Sequence, residues 1–487
     1  MPIKIFNTLS GQKEEFIPVN PAGPDGRLPV NMYVCGITPY DETHLGHGRA
    51  YVTFDVVRRY LEYSGYKVTY VQNVTDVDDK IINKAQSLDP KSQIKEKCAA
   101  VVEQYLSSYF EVMNELNVRR ADKYPKATEH IGDMIATIKV LVEKGFAYTV
   151  EVGGAAAEGA AAEKSYDVYF AVTKFPNYLK LSKRKLDDME AGARVKVDER
   201  KKSPHDFALW KAAKPGEPAW DSPWGPGRPG WHIECSVMSA KYLGQPFDIH
   251  GGGRDLIFPH HENEIAQAEA ATGKPFAKYW MHNGFVNINQ QKMSKSLENF
   301  FALKDIFRSY PPRVVRFFLL KTHYRSPIDF SDTQLKEAQA ALATIFNALD
   351  SYKKHLSEKV PVVKKKVKVD VNALRKKFKA AMDDDFNTAE ALAVVFEIAH
   401  LMNIHVKNNE FDPALKDLQV ELLEVLGIKV EQEQDLPDDV IKLRDDLDAA
   451  RMRKDYSTAD SLRAELTKMG YVVKTTPQGT ILSLLAV

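Results

Sequence analysis

Short apolar runs alternate with amphipathic stretches through the first part of the chain. Asn31-Met32-Tyr33-Val34 has the pattern of a buried strand; a Gly/Thr/Pro turn follows, then a helical stretch with Phe54, Val57 and Leu61 on one face. Gly65 stands where a C-terminal cap belongs, and the Val- and Tyr-rich run Tyr66 to Val74 predicts a second strand. Strand, helix, strand in so short a span is a βαβ unit, whose strands run parallel with a right-handed crossover. Ligands of such a sheet sit beyond the carboxyl ends of its strands, where Cys35 and Thr75 lie. The pattern recurs downstream as strand Phe247-Asp248-Ile249-His250, turn Gly251-Gly252-Gly253, a helix from about Pro259 to Thr272, and a strand near Met281 to Ile288. Pro259 suits a first helical turn, and Gly273 with Pro275 ends the helix.

These are two halves of one parallel sheet with a long insertion between them. The insertion shows helical patterns from about Ile94 to Gly145 and then an irregular stretch, in which the Ala/Gly/Glu-rich segment Gly153 to Lys164 reads as a mobile loop. Beyond about residue 330 strand signals fade and helical periodicity takes over. The last stretch reads as a helical hairpin, with Ser457 and Asp460 as a capping box and Leu462, Leu466 and Met469 on one face. The expected fold is therefore α/β, a Rossmann-like parallel-sheet domain with an insertion followed by an α-helical region. Its parts are residues 1–150 (first half-sheet with helical extension), 151–225 (insertion), 226–330 (second half-sheet and a Lys/Ser loop), 331–425 (helical bundle) and 426–487 (a small C-terminal domain).

Composition narrows the setting. A chain of 487 residues with 44% hydrophobic content can bury several cores without covalent staples. Three cysteines in that length argue against a disulfide framework and for a reducing compartment, the cytoplasm. No apolar run of signal or membrane-spanning length is visible, so no membrane partner is expected. With a net charge of +1, any nucleic acid must be held by local patches, and residues 352–379, with eleven Lys/Arg against two acids, form one. A solvated basic linker reads the same way.

Three constellations carry chemistry. His260 and Glu264 stand four apart on a predicted helix and can share an ion, while His261 should point ~100° away. Cys35 and Cys235 would add two thiolates, and a Cys, Cys, His, Glu set suits zinc better than magnesium or calcium. Two buried free cysteines and an unrelated His/Glu pair fit the same spacing. His44-Leu45-Gly46-His47 opens a helix, where free N–H groups and the dipole favour phosphate and Gly46 admits a ligand to the backbone; a plain helix cap would look alike. Lys292 and Lys295, in Lys292-Met293-Ser294-Lys295-Ser296, can neutralise a departing pyrophosphate or belong to a solvated loop.

Together, and in this order, these motifs resemble the class I aminoacyl-tRNA synthetases, and the metal set resembles that of the cysteinyl-tRNA synthetases. The resemblance runs from Lys4-Ile5-Phe6-Asn7-Thr8-Leu9 through Asp383-Asp384-Asp385-Phe386-Asn387-Thr388 to Thr476-Pro477-Gln478-Gly479-Thr480. It implies that cysteine and ATP give cysteinyl-adenylate and pyrophosphate, and that the cysteinyl group then passes to the terminal adenosine of tRNA(Cys). It further implies one zinc on Cys35, Cys235, His260 and Glu264 with a position open to the substrate thiol, and magnesium accompanying ATP. His44 and His47 would stabilise the α-phosphate, Lys295 would contact the triphosphate, and Gly251-Gly252-Gly253-Arg254-Asp255 would cradle adenosine with Asp255 on the ribose. Gly36, Thr38, Thr75, Trp231 and His250 would line the cysteine pocket. The small C-terminal domain would read the anticodon, and the family implies a monomer. Glu298 replaces a glycine of the family pattern beside the lysine loop. Two rivals share much of this: a ligase joining cysteine to an amino-sugar in mycothiol synthesis, which would not need the helical half, and a catalytically idle RNA-binding homologue, which should show damage at His44, His47 or Lys295.

Overall fold

The computed structural model describes residues 2–88, 93–152, 164–185, 199–288, 291–292, 301–357, 369–410, 412–430, 438–476 and 479–484. The chain divides into two compact units, Met1–Lys429 and Val430–Val487. In the first, β1 (Lys4–Asn7) and β2 (Gln12–Glu15) form an antiparallel hairpin. Strand β3 (Pro29–Ile37), helix α1 (Leu45–Tyr63) and β4 (Lys67–Val74) are the expected βαβ unit, and Phe54, Val57 and Leu61 are buried beneath α1. β3 runs past Val34 with an irregularity before Ile37. A Cβ on Gly36 would lie 1.5 Å from Asn73 O, so only glycine lets the two strands close there.

Helices α2 (Asp79–Gln86), α3 (Ile94–Glu115) and α4 (Ile131–Glu143) follow. The stretch expected to be irregular is instead an antiparallel sheet of β5 (Ala147–Val152), β6 (Ser165–Phe170), β7 (Phe207–Ala212) and β8 (Gly227–Pro229). Its Val168, Phe170, Phe207, Leu209 and Trp210 join the core beneath α4. Gly227-Arg228-Pro229 carries no strand propensity, yet it pairs at the sheet edge, where proline is tolerated and where a Cβ on Gly227 would meet the Trp210 ring at 2.3 Å. The reading of residues 153–163 as a loop lies outside the described residues.

The second half-sheet follows helix α5 (Trp231–Leu243): β9 (Phe247–Gly253), α6 (Glu262–Thr272) and β10 (Ala277–Asn283). Gly251-Gly252-Gly253 is not a turn but the end of β9. A Cβ on Gly251 would sit 2.4 Å from the Phe54 ring, so the glycines let α1 press onto the strand. The single strand expected from Met281 to Ile288 is two. β10 ends at Asn283, whereas β11 (Val286–Ile288) belongs to another sheet with β12 (Gln291–Lys292) and β13 (Ile328–Phe330). Gly284 makes the break, its N–H donating to Tyr324 O at 2.7 Å. The main sheet has order β10-β9-β3-β4, all parallel. Its connections diverge between β3 and β9, the position where a parallel sheet opens a crevice.

Helices α7 (Leu303–Phe307), α8 (Pro312–Leu320), α9 (Asp332–Ser357), α10 (Val371–Asp383), α11 (Thr388–Asn408) and α12 (Pro413–Val425) complete this unit. The change near residue 330 is thus one of secondary structure inside a single unit. A buried ion cluster shows why. Arg316 on α8, 1% exposed, donates to Asp55 of α1 at 2.5 Å, to Leu116 O and Asn117 O, and to Leu426 O past α12. Burial would raise the Asp55 carboxyl, but Arg316 and Arg59 outweigh it and hold the group below the usual range. Among the described residues α11 is the helix apolar and long enough to cross a membrane, and its Val395, Ile398 and Met402 are buried in the bundle. Part of the basic run is neutralised: Arg375 pairs with Glu421 and Lys377 with Glu397, while residues 358–368 lie outside the described ones.

The second unit holds the expected pair of helices, α13 (Asp438–Met452) and α14 (Tyr456–Lys468), and an unexpected hairpin, β14 (Tyr471–Thr476) with β15 (Gly479–Leu484). The cap of α14 is Asp455, whose carboxylate accepts from Thr458 N at 3.2 Å, so Ser457 lies inside the helix. Leu466 is buried with Val440 and Leu447, whereas Met469 is exposed.

Candidate metal centre and active site

The crevice between β3 and β9 is where the sequence-predicted ligands meet. Cys35 lies near the end of β3, Cys235 in the second turn of α5, His260 in the turn just before α6, and Glu264 in the first turn of α6. One donor atom from each lies within 4.8 Å of the others, and all four residues are buried. The two sulfurs are 3.9 Å apart. That is too far for a disulfide, yet two thiolates each ~2.3 Å from a tetrahedral ion would stand about 3.8 Å apart. His260 Nε2 lies 3.0 Å from Glu264 Oε1, and Glu264 Oε1 lies 3.6 Å from Cys35. Two sulfurs, one imidazole and one carboxylate, dry and convergent, fit a borderline-soft divalent ion.

His261 does not point away. Ile257–His261 is a π-type turn with an extended residue, Phe258 (φ −143°, ψ 131°), and regular helix begins only at Glu262. The ideal helical phase therefore fails, and His261 Nε2 reaches to 3.2 Å from Cys35 Sγ. A second quartet, Cys35, His250, His261 and Glu264, satisfies the same proximity. It offers one sulfur against two, and each quartet contains a His–Glu pair, so the second sulfur is what separates them. We therefore take the two-thiol quartet as the better metal seat.

Two of the four donors, Cys235 and Glu264, are held anionic, and against its own burial they raise the His260 imidazole to about 10, a proton that an incoming ion would displace. Burial opposes ionisation of Cys235, but the hydrogen bond from Cys35 and the neighbouring His260 bring its thiol down to about 6. Burial pushes the Cys35 thiol up. Glu264 is held at about 2 because His250 and His260 outweigh its burial. Desolvation also lowers His261 and His282, keeping both rings neutral.

Residues expected to line a substrate pocket surround this centre. His250 is fully buried, stacked on Trp280 with centroids 4.4 Å apart. Trp231 is 40% exposed and stacks on His260 at 4.1 Å. Thr75, just past β4, is buried, its hydroxyl donating to Glu234 at 2.9 Å; burial pushes the Glu234 carboxyl well up. Gly36 N–H donates to Asn73 Oδ1 at 2.8 Å, and Thr38 is half-buried.

At the other side of the crevice His44 is the N-cap of α1. Its ring accepts from His47 N at 3.3 Å, His44 N donates to the His47 ring at 3.3 Å, and the rings stack at 3.6 Å. Two histidines thus form a capping box, and the helix dipole adds positive potential beside Gly46. His47 also stacks on Tyr51, whose hydroxyl donates to Cys35 O at 3.4 Å, joining the two centres. Lys292 is on β12, with its side chain outside the described residues, as are Lys295 and Glu298 altogether. The segment just beyond them is fixed: Leu303 N donates to Thr43 O at 2.8 Å and Leu45 N to Phe301 O at 3.3 Å. Residues 301–303, downstream of the lysine motif, therefore lie beside the start of α1. Asp255 is exposed on the short turn after β9.

Residues 24–340 match the family model for the class I (C) tRNA synthetase catalytic domain, and residues 377–431 match the DALR domain. Proteins named cysteine–tRNA ligase from Geobacter sulfurreducens and Pelotomaculum thermopropionicum are 48% and 50% identical to this chain, with alignments covering 99% and 98% of it and 99% of each relative. The chain belongs to the cysteine–tRNA ligase family. A solved methionyl-tRNA synthetase from Mycobacterium tuberculosis in complex with methionyl-adenylate shares the fold, with a TM-score of 0.58 at 15% identity over 82% of this chain and 89% of that one.

For a member of this family, several neighbours of the centre escaped the sequence reading. His261 was set aside by ideal helix geometry, which the extended Phe258 and the π-type turn Ile257–His261 break. His282 sits near the carboxyl end of β10, level with Gly252 on β9, so the strand-end rule that singled out Cys35 and Thr75 applies to it equally. His232, whose ring nitrogen lies 2.9 Å from that of His260, gave no signal of its own.

Proposed function

We propose that the chain activates L-cysteine with ATP and transfers the cysteinyl group to the 3′-terminal adenosine of tRNA(Cys), acting as a cytoplasmic monomer. Family membership carries the reaction. The dry Cys35, Cys235, His260, Glu264 cluster at the sheet's divergence point carries the choice of amino acid. Zinc, when bound there, supplies a Lewis-acidic position that lowers a thiol's pKa and prefers sulfur to the hard oxygen of serine. A pocket measuring size alone resolves such a difference by only ~1–3 kcal/mol. On this reading Cys35, Cys235, His260 and Glu264 hold the ion, while Trp231, Thr75 and His250 shape the space around the substrate.

His44 and His47 meet the α-phosphate of magnesium-bound ATP at the start of α1, where donors fixed before the reaction stabilise charge as it develops. Lys292 and Lys295 neutralise the leaving pyrophosphate, and Asp255 meets the ribose. The DALR match over 377–431 supports tRNA engagement by the helical half. It also favours a synthetase over a ligase with a small acceptor. The burial of the apolar face of α11 supports a protein without a membrane partner. The test is cysteine-dependent pyrophosphate exchange followed by charging of purified tRNA, with serine and an amino-sugar acceptor in parallel. Charging of tRNA with cysteine alone is expected, and condensation with the amino-sugar in its place would overturn the proposal.

A further inference from the structure

The acidic run Asp383-Asp384-Asp385 has no part in the chemistry above, yet Asp385 is fully buried at φ 61° with Phe386 at φ 52°. Left-handed backbone at a non-glycine residue costs on the order of 1–2 kcal/mol, so surrounding contacts must hold the pair there. They are specific. Asp385 Oδ1 accepts from Phe6 N at 2.9 Å and from Tyr324 Oη at 2.8 Å, Oδ2 accepts from Arg325 Nε at 2.5 Å, and Asp385 N donates to Lys4 O at 2.9 Å. The Arg325 guanidinium covers the Phe6 ring at 4.3 Å. One carboxylate from the loop between α10 and α11 thus clamps strand β1.

Just beyond that clamp, Thr8 leads to the metal centre. Its N–H donates to Trp280 O on β10 at 2.9 Å, and its hydroxyl lies 2.8 Å from His282 Nδ1. His282 Nε2 lies 2.8 Å from His261 Nδ1, and His261 Nε2 lies 3.2 Å from Cys35 Sγ. A neutral imidazole has one donor and one acceptor, so the two tautomers are tied together. For His261 to present an N–H to a Cys35 thiolate, His282 must donate to His261, and it then accepts the Thr8 hydroxyl proton. We propose that Asp385 and Thr8 are positioning residues of the thiol-binding centre: Asp385 holds β1 against β10, and Thr8 thereby fixes the N–H that His261 turns to Cys35. This rests on the metal assignment above. The helical half then shapes amino-acid binding as well as engaging tRNA.

The test uses the full chain as wild type, Asp385→Asn, Thr8→Val, Thr8→Ser and the Asp385→Asn/Thr8→Val double variant, loaded with Zn²⁺ or Co²⁺. Metal loss to a chelator, the cobalt absorption spectrum, and the KM for cysteine and for ATP are measured. Both single variants should bind one ion per chain, lose it about tenfold faster, as outer-shell partners of metal ligands do, and raise the cysteine KM with the ATP KM unchanged. Thr8→Ser should restore wild-type values, and the double variant should be no worse than the stronger single one. Unchanged metal loss and cysteine KM in Thr8→Val would overturn the proposal, as would single effects that multiply in the double variant. Should Asp385→Asn fail to fold, the Thr8→Val and Thr8→Ser pair decides. A wild-type chain that binds no metal removes the metal assignment itself, an outcome distinct from a bound ion indifferent to Thr8.

Discussion

The two sides of the crevice are built on opposite plans. Around Cys35 the working atoms are buried side chains from three separate elements, backed by further buried imidazoles. At the start of α1 the corresponding groups are half-exposed histidines three residues apart that cap one another, and the helix backbone supplies much of the field. On the function proposed above, the difference follows from the tasks. Telling sulfur from oxygen demands a dry, fixed donor set, since water would compete for the ion. Stabilising a phosphate demands directed N–H groups and access for a large charged substrate.

Substitutions should separate these plans, the largest effect coming from the ligands. Cys235→Ala should lose bound zinc by elemental analysis and lower cysteine-dependent pyrophosphate exchange by ~10³-fold or more, about 4 kcal/mol of transition-state free energy. Full zinc retention there would break the assignment of the thiol side. His47→Ala should cost ~10²–10³ in exchange rate while leaving zinc content and cysteine KM near wild type. Loss of zinc in that variant would erase the division between the two sides.

Asp55→Asn tests what holds the phosphate side in place. It leaves Arg316 buried without its anion and should cost about 3–5 kcal/mol in denaturant unfolding. Because Asp55 ionises more readily folded than unfolded, its contribution is present above the unfolded carboxyl pKa of ~3.9 and lost as pH falls through the lower folded value. The variant should therefore flatten stability against pH in that acid range, and an unchanged slope would contradict the role given to the pair. The smallest effect concerns tRNA. Replacing Lys364, Lys365 and Lys366 with Ala should weaken binding and flatten its log–log salt slope by about two to three if these side chains meet phosphates. An unchanged slope would leave the run a solvated linker.

What could be read from the sequence follows the same contrast. The βαβ unit and the helix opened by His44 were legible because each rests on local periodicity, and Cys35 and the His260/Glu264 pair stood out by a strand end and a helical spacing; Cys235 joined them only through the family resemblance, and the fold brings the four donors together. The sheet carrying Trp210 was not, since its strands are three to six residues long, widely separated and closed by Gly227-Arg228-Pro229. Glycine patterns misled at Gly251, where missing side chains serve packing against Phe54 and not a turn. His261 was misplaced because one extended residue, Phe258, shifts the helical phase. Thr8 and Asp385 lie hundreds of residues apart, and only the folded chain brings the strand that leads into Thr8 under the Asp385 carboxylate.

The central claim, that the thiol of cysteine is recognised at the Cys35, Cys235, His260, Glu264 centre, is tested most directly by titrating the cobalt-substituted protein with amino acids and recording its absorption spectrum. Cysteine should add a sulfur-to-cobalt charge-transfer band that saturates at the concentration half-saturating pyrophosphate exchange, and serine should leave the spectrum unchanged. A cobalt protein that activates cysteine at full rate with no spectral change would contradict the claim.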